Sequence, residues 1–140
     1  MAEILITDDH DIVRLGTSLV VQEVIPGTRI AQAASLDEAI RLLNIKNFDM
    51  MMLDINMPGG NNIKMIEEVL AIQPGLKILI FSSYEESIYA LRYIQAGASG
   101  YLNKNSSKEE LKDAIQAVMD QGRYMSPEVS DLYYSTFTVG

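Results

Sequence analysis

The chain has no cysteine and no tryptophan, and only one histidine, His10. Without a thiol there can be no disulfide, thiolate metal site or sulfur nucleophile, which fits a reducing compartment. Cations are also scarce, with 11 Lys and Arg against 19 Asp and Glu for a formal net charge of −8. A surface that neutralises nucleic-acid phosphates needs clustered Lys and Arg, so DNA binding by these residues is not expected. No apolar run is long enough to cross a bilayer, and the N-terminus lacks the basic region and cleavage site of a signal peptide. A cytoplasmic protein with no membrane partner is the expectation. There is also no Gly-rich phosphate loop, no G-x-G-x-x-G after the first apolar run and no G-x-S-x-G elbow. Nucleotide hydrolysis and acyl transfer lose their usual apparatus.

What is present is material for one domain, 140 residues of which 48% are hydrophobic. Two hydrophobic periods take turns along it. Short apolar runs at about 4–8, 29–34, 50–54, 77–82 and 99–103 read as strands, and the segments between them carry apolar residues at helical spacing. The helical stripes are Ile12, Leu15, Leu19; Leu36, Ala39, Ile40, Leu43; Ile63, Ile66, Leu70; Ile88, Leu91, Ile94; and Leu111, Ile115, Val118. Each stripe is expected to face the core. Ser35 with Glu38, and Ser106 with Glu109, have capping-box spacing, while Pro74-Gly75 and Gly97 read as helix stops. Strands joined through helices run parallel, which predicts an α/β fold with a parallel sheet covered on both faces. In such a sheet the functional crevice lies beyond the carboxyl ends of the strands, where strand order reverses.

That crevice would collect chemistry. Asp54 ends the run Met50-Met51-Met52-Leu53, Asp8 and Asp9 end Ile4-Leu5-Ile6, Ser82 ends the fourth run, and Lys104 lies just past Gly100-Tyr101-Leu102. Three carboxylates about 5 Å apart repel by about 3 kcal/mol per pair at an effective dielectric near 20, so the cluster calls for compensation. A hard cation supplies it. Oxygen ligands without His or Cys select magnesium or calcium, and few protein ligands with room for water and phosphate suit magnesium better. His10, with no second histidine, reads as a loop residue rather than a ligand or base.

Together Asp8-Asp9, Leu53-Asp54-Ile55-Asn56-Met57-Pro58, Ser82-Ser83 and Gly100-Tyr101-Leu102-Asn103-Lys104 resemble the receiver domain of two-component response regulators, over residues 3–121. The strings Asp8-Asp9-His10-Asp11-Ile12-Val13-Arg14 and Gly122-Arg123-Tyr124-Met125-Ser126-Pro127-Glu128 are similar to the subgroup with a LuxR-type helix-turn-helix output domain. The resemblance implies a flavodoxin-like sheet of order 2-1-3-4-5 with five helices on its two faces. It implies that Asp54 accepts a phosphoryl group from a sensor histidine kinase or phosphotransfer protein. Magnesium would be held by Asp8, Asp9, Asp54 and the Asn56 carbonyl, and Lys104 would pair with the phosphoryl group. Ser82 and Tyr101 correspond to the family's switch pair, which alters the face of the fourth helix, fifth strand and fifth helix; dimerisation can follow phosphorylation.

Three positions depart from the family pattern. Asn62 stands where many members have Gly, Asn105 replaces a common proline, and Tyr84 puts bulk beside the phosphoryl position, with Asn56 a second position that modulates lifetime. Residues 1–122 are expected to be the receiver and 123–140 a linker-like tail with a short helical stretch near Glu128 to Tyr134. DNA would be reached only through an output domain that this chain does not carry, the chain being a receiver cut from a longer regulator or a stand-alone one. Two other readings are a pseudo-receiver that only binds partners, and an aspartyl-phosphate phosphatase of haloacid-dehalogenase type. The latter expects D-x-D, which Asp54-Ile55-Asn56 breaks. The former usually lacks part of the acidic set or the lysine, all of which are here.

Overall fold

Apolar runs of four to six residues are too short for stable helices, and here they become five parallel strands. They are β1 (Glu3–Thr7), β2 (Arg29–Ala33), β3 (Met50–Leu53), β4 (Lys77–Ser82) and β5 (Gly100–Asn103). The computed structural model describes residues 1–58 and 62–138. The sheet order is β2-β1-β3-β4-β5, as the resemblance implied. In register, Thr7 of β1 lies between Ala33 of β2 and Leu53 of β3, and Leu53 pairs in turn with Ile80 of β4. Their carboxyl ends are therefore level, and order reverses between β1 and β3.

The helices are α1 (Asp11–Val24), α2 (Leu36–Ile45), α3 (Lys64–Ile72), α4 (Glu86–Gln95), α5 (Lys108–Gln121) and α6 (Pro127–Thr138). Because alternate strand residues point to opposite faces, the run Met50-Met51-Met52-Leu53 feeds two cores at once. Met51 and Leu53 join Leu5, Ile78, Ile80 and Tyr101 on one side. Met50 and Met52 join Ile4, Ile6, Leu79 and Leu102 on the other, against Ala114, Ile115 and Val118 of α5.

Three sequence expectations need correction. The α1 stripe Ile12, Leu15, Leu19 faces outward, all three being more than half exposed. A second stripe competes with it: Thr17 and Val21 are buried, with Val20 and Val24 packed beside them. Helix rotation is set by polar ties, because Arg14 Nη1 donates to the Asp8 carbonyl at 2.6 Å and Nε to Gln32 Oε1 at 3.1 Å. These turn Arg14 toward β2, and Val21, seven residues on, goes into the core. In α4 the buried row is Ala90, Tyr93, Ile94, and Ile88 is exposed. The α5 cap is Ser107 rather than Ser106: its hydroxyl accepts from Glu110 N–H and Glu110 Oε1 accepts from Ser107 N–H. Either serine had a Glu three residues on, and periodicity alone is blind to a one-residue shift.

The tail carries a helix where a short helical stretch was expected near Glu128 to Tyr134, and α6 runs longer, over Pro127–Thr138. Tyr124 pairs with Gly100 in a parallel bridge, and its N–H donates to the Ser99 carbonyl at 2.9 Å. A Cβ on residue 100 would lie 2.9 Å from the Tyr124 carbonyl oxygen, so glycine permits this approach. Beyond it α6 packs on α4, with Val129 buried and Met125 and Tyr133 against the same core cluster.

Candidate functional site

The level strand ends carry the candidate residues into one crevice. The ladder runs one step past the strands: Asp8 N–H donates to the Ala33 carbonyl, Asp54 N–H to the Thr7 carbonyl and Lys104 N–H to the Ser82 carbonyl. These three residues are therefore held by their own backbone to the neighbouring strand. Asp8 and Asp54 are buried, at 2% and 1% exposure.

Lys104 Nζ bridges them, 2.8 Å from Asp8 Oδ2 and 3.2 Å from Asp54 Oδ2. Asp54 Oδ1 accepts the Asn56 N–H at 2.8 Å, while Asp54 Oδ2 is buried without a hydrogen bond and has only the lysine's approach. The two carboxyls are pushed in opposite directions. For Asp54, burial raises the pKa more than the Asn56 N–H and the Lys104 charge lower it. For Asp8, burial also acts upward, but hydrogen bonds from Lys104 and from the backbone and ring of His10 together hold it below the usual value.

One oxygen each from Asp8, Asp9 and Asp54 and a ring nitrogen of His10 lie within 4.8 Å of one another. His10, in the loop before α1 as read from the sequence, places Nδ1 3.0 Å from Asp8 Oδ1 and 3.0 Å from Asp9 Oδ1. Its N–H donates to Asp8 Oδ1 at 2.9 Å. Three converging carboxylates, one with a buried oxygen that accepts no hydrogen bond, fit a hard divalent cation. Sequence reasoning also missed Arg14, whose guanidinium holds the Asp8 carbonyl and Asp11. A cation one turn after an acidic pair was the available signal.

A hydrogen-bonded relay leaves the crevice on the other side. Ser82, fully buried, donates from Oγ to Asn56 Oδ1 at 2.9 Å and accepts the Tyr84 N–H at 3.0 Å. Asn56 Oδ1 also accepts the Ser83 N–H. The Tyr84 carbonyl accepts the Tyr101 hydroxyl at 2.9 Å and Asn103 Nδ2 at 3.1 Å. Tyr101 is 1% exposed, and burial pushes its hydroxyl up to about 12. The Tyr84 ring stacks on Tyr89, with centroids 4.8 Å apart.

The remaining departures resolve simply. The Lys104–Asn105 peptide is trans. Asn62 Oδ1 accepts the Lys64 N–H, tying down the start of α3. Gly59 and Gly60 of the turn after Asp54 lie outside the described residues.

This geometry has counterparts. The model of the response regulator receiver domain matches residues 4–116. A crystal structure of a LuxR-family two-component response regulator from Aurantimonas sp. SI85-9A1 is 34% identical, covers 99% of each chain and has a TM-score of 0.84. The response regulator GacA of Pseudomonas aeruginosa is 31% identical over 93% of this chain and 61% of its own length. The response regulator UvrY of Escherichia coli is 25% identical over 93% of this chain and 60% of its own. The chain thus spans about three-fifths of these curated relatives.

Proposed function

Because this chain belongs to the response regulator receiver domain family, we propose that Asp54 is its phosphoacceptor and the acidic crevice its magnesium site. The carrying observation is the placement of a buried carboxylate, Asp54, with an unbonded oxygen 3.2 Å from Lys104 and beside two further aspartates. An Asp54 oxygen attacks the phosphorus of a phosphohistidine on a sensor kinase or phosphotransfer protein. The new O–P bond forms as the P–N bond breaks, and the imidazole leaves with the bonding pair and takes a proton. Little acid–base machinery is needed, since the transition state spreads charge over the phosphoryl oxygens.

Asp8, Asp9, Asp54 and the Asn56 carbonyl would hold magnesium, which when bound neutralises phosphoryl charge. The chain's own residues do the rest. Lys104 leaves its carboxylates to meet the incoming oxygens, Asn56 N–H orients Asp54 Oδ1, and the Ser82 hydroxyl can turn from Asn56 to the phosphoryl group. Tyr84 screens the group from attacking water. Self-phosphorylation and slow self-hydrolysis are the only reactions assigned to the chain, and control of transcription belongs to a longer regulator of the GacA and UvrY kind.

Incubation with acetyl phosphate and magnesium, read by intact mass, is the test. One phosphoryl group should be gained, and none by Asp54→Asn; no gain in either leaves a protein that only binds partners. Decay in Tyr84→Ala should be faster in the same assay, and an unchanged lifetime removes Tyr84 from the site.

A further inference from the structure

His10 differs from the rest of the acidic crevice in both position and chemistry. Asp8 and Asp54 form the buried floor, whereas the side chains of Asp9 and His10 stand on the rim, 36% and 63% exposed. Asp8 divides its oxygens between the two levels. Its Oδ2 faces the Lys104 ammonium at 2.8 Å, and its Oδ1 faces His10 Nδ1 at 3.0 Å. The same nitrogen is 3.0 Å from Asp9 Oδ1. A ring nitrogen carries at most one proton, so a single N–H cannot point straight at both oxygens. A cation between the three atoms satisfies all of them.

The spacing fits such an ion. Ligand atoms about 2.1 Å from a metal lie about 3.0 Å apart where their bonds meet at right angles, and about 3.4 Å apart in a tetrahedron. Both nitrogen–oxygen separations therefore match neighbouring ligands of one small ion. An oxygen of Asp54 lies within 4.8 Å of the other three atoms. Asp54 is 1% exposed, and its Oδ2 accepts no hydrogen bond among the described residues. The cluster thus has two features besides its acidity, a nitrogen donor on the rim and an unsatisfied oxygen on the floor.

We propose that His10 is a metal ligand that opens the crevice to a second class of cation, a borderline first-row divalent metal such as zinc, in competition with magnesium for the same aspartates. The inference rests on the crevice being a cation site. Magnesium takes oxygen ligands and keeps several waters, so an imidazole adds little to its binding. Zinc, nickel and copper take imidazole nitrogen readily, and a fourth ligand of that kind shifts preference toward them. The backbone holds the ring ready for this. His10 lies in extended conformation immediately before α1, and its N–H donates to Asp8 Oδ1 at 2.9 Å, which folds the residue back over that carboxylate. Arg14 fixes the same turn from behind, through the Asp8 carbonyl.

The test uses the full chain with zinc and magnesium salts alone. Because His10 is the only histidine, the imidazole nitrogen resonances of isotope-labelled protein report on it directly. Saturating zinc should move the Nδ1 resonance far more than the Nε2 resonance. Calorimetry should show the zinc-to-magnesium affinity ratio falling at least roughly tenfold in His10→Ala, since even partners one shell beyond a metal are worth about 10- to 100-fold. Asp9→Asn should weaken both metals. An unchanged ratio in His10→Ala, or an Nδ1 resonance that ignores saturating zinc, overturns the proposal and leaves His10 as a bridge between carboxylates. Zinc that moves Nδ1 yet binds Asp9→Asn as tightly as wild type is held outside the crevice, which also overturns it. If magnesium leaves the thermal melt unchanged and neither metal responds to Asp9→Asn, the crevice is not a cation site and the proposal falls with that reading.

Discussion

The crevice at the strand ends and the α4–α6 edge differ in what holds them. In the crevice, charged groups are fixed by strand register, with Asp8, Asp54 and Lys104 each bonded through its own N–H to the next strand. At the edge, side chains meet side chains: Val129 and Tyr133 of α6, and Met125 just before it, join the cluster of Tyr93, Ile94 and Tyr101. The first arrangement is built into the ladder of the sheet, whereas the second follows a single backbone bridge, Gly100 with Tyr124, on the edge strand.

If the two regions are independent in stability, shaving the edge should leave the crevice alone. Val129→Ala removes two buried methyl groups and should cost about 1.5 kcal/mol in chemical denaturation, while the magnesium-dependent gain stays as in wild type. A fall in both would mean that the edge helps to build the crevice. Conversely, magnesium at ten times its dissociation constant should stabilise the fold by about 1.4 kcal/mol. Asp9→Asn, at the exposed position proposed to hold magnesium, should shrink that gain in thermal melts without disturbing α6. A melt indifferent to magnesium in the wild type would count against the acidic site.

The smallest effect sharpens the contrast with α1, whose Ile12, Leu15 and Leu19 the periodicity assigned to the core. Ile12→Ser and Leu19→Ser should each change stability by less than about 0.5 kcal/mol, since both side chains are already in water. A loss of about 2 kcal/mol in either would show that this face is covered.

Legibility follows the same division. Asp8, Asp9, Asp54, Ser82 and Lys104 could be placed from the chain alone because a parallel strand of known direction delivers its next residue to a known edge. Even the sheet order followed, once the motifs were recognised together. His10 and Arg14 were under-read, because their roles depend on rotamers that aim Nδ1 at two carboxylates and a guanidinium at the Asp8 carbonyl. The Ser106 to Ser107 shift and the α1 and α4 faces failed for another reason: each segment offered two patterns of nearly equal quality, and a neighbour chose between them.

By itself, then, the order of residues determined the strand–helix alternation, the level crevice and the identity of the groups in it. Those depend on local period and on backbone direction, which are written along the chain. Which face of α1 turns inward, how Tyr101 is buried, and whether residues 123–138 trail or dock were decided by tertiary structure. Those outcomes compare the fit of alternative surfaces against partners distant in sequence, and that comparison exists only when the surfaces meet.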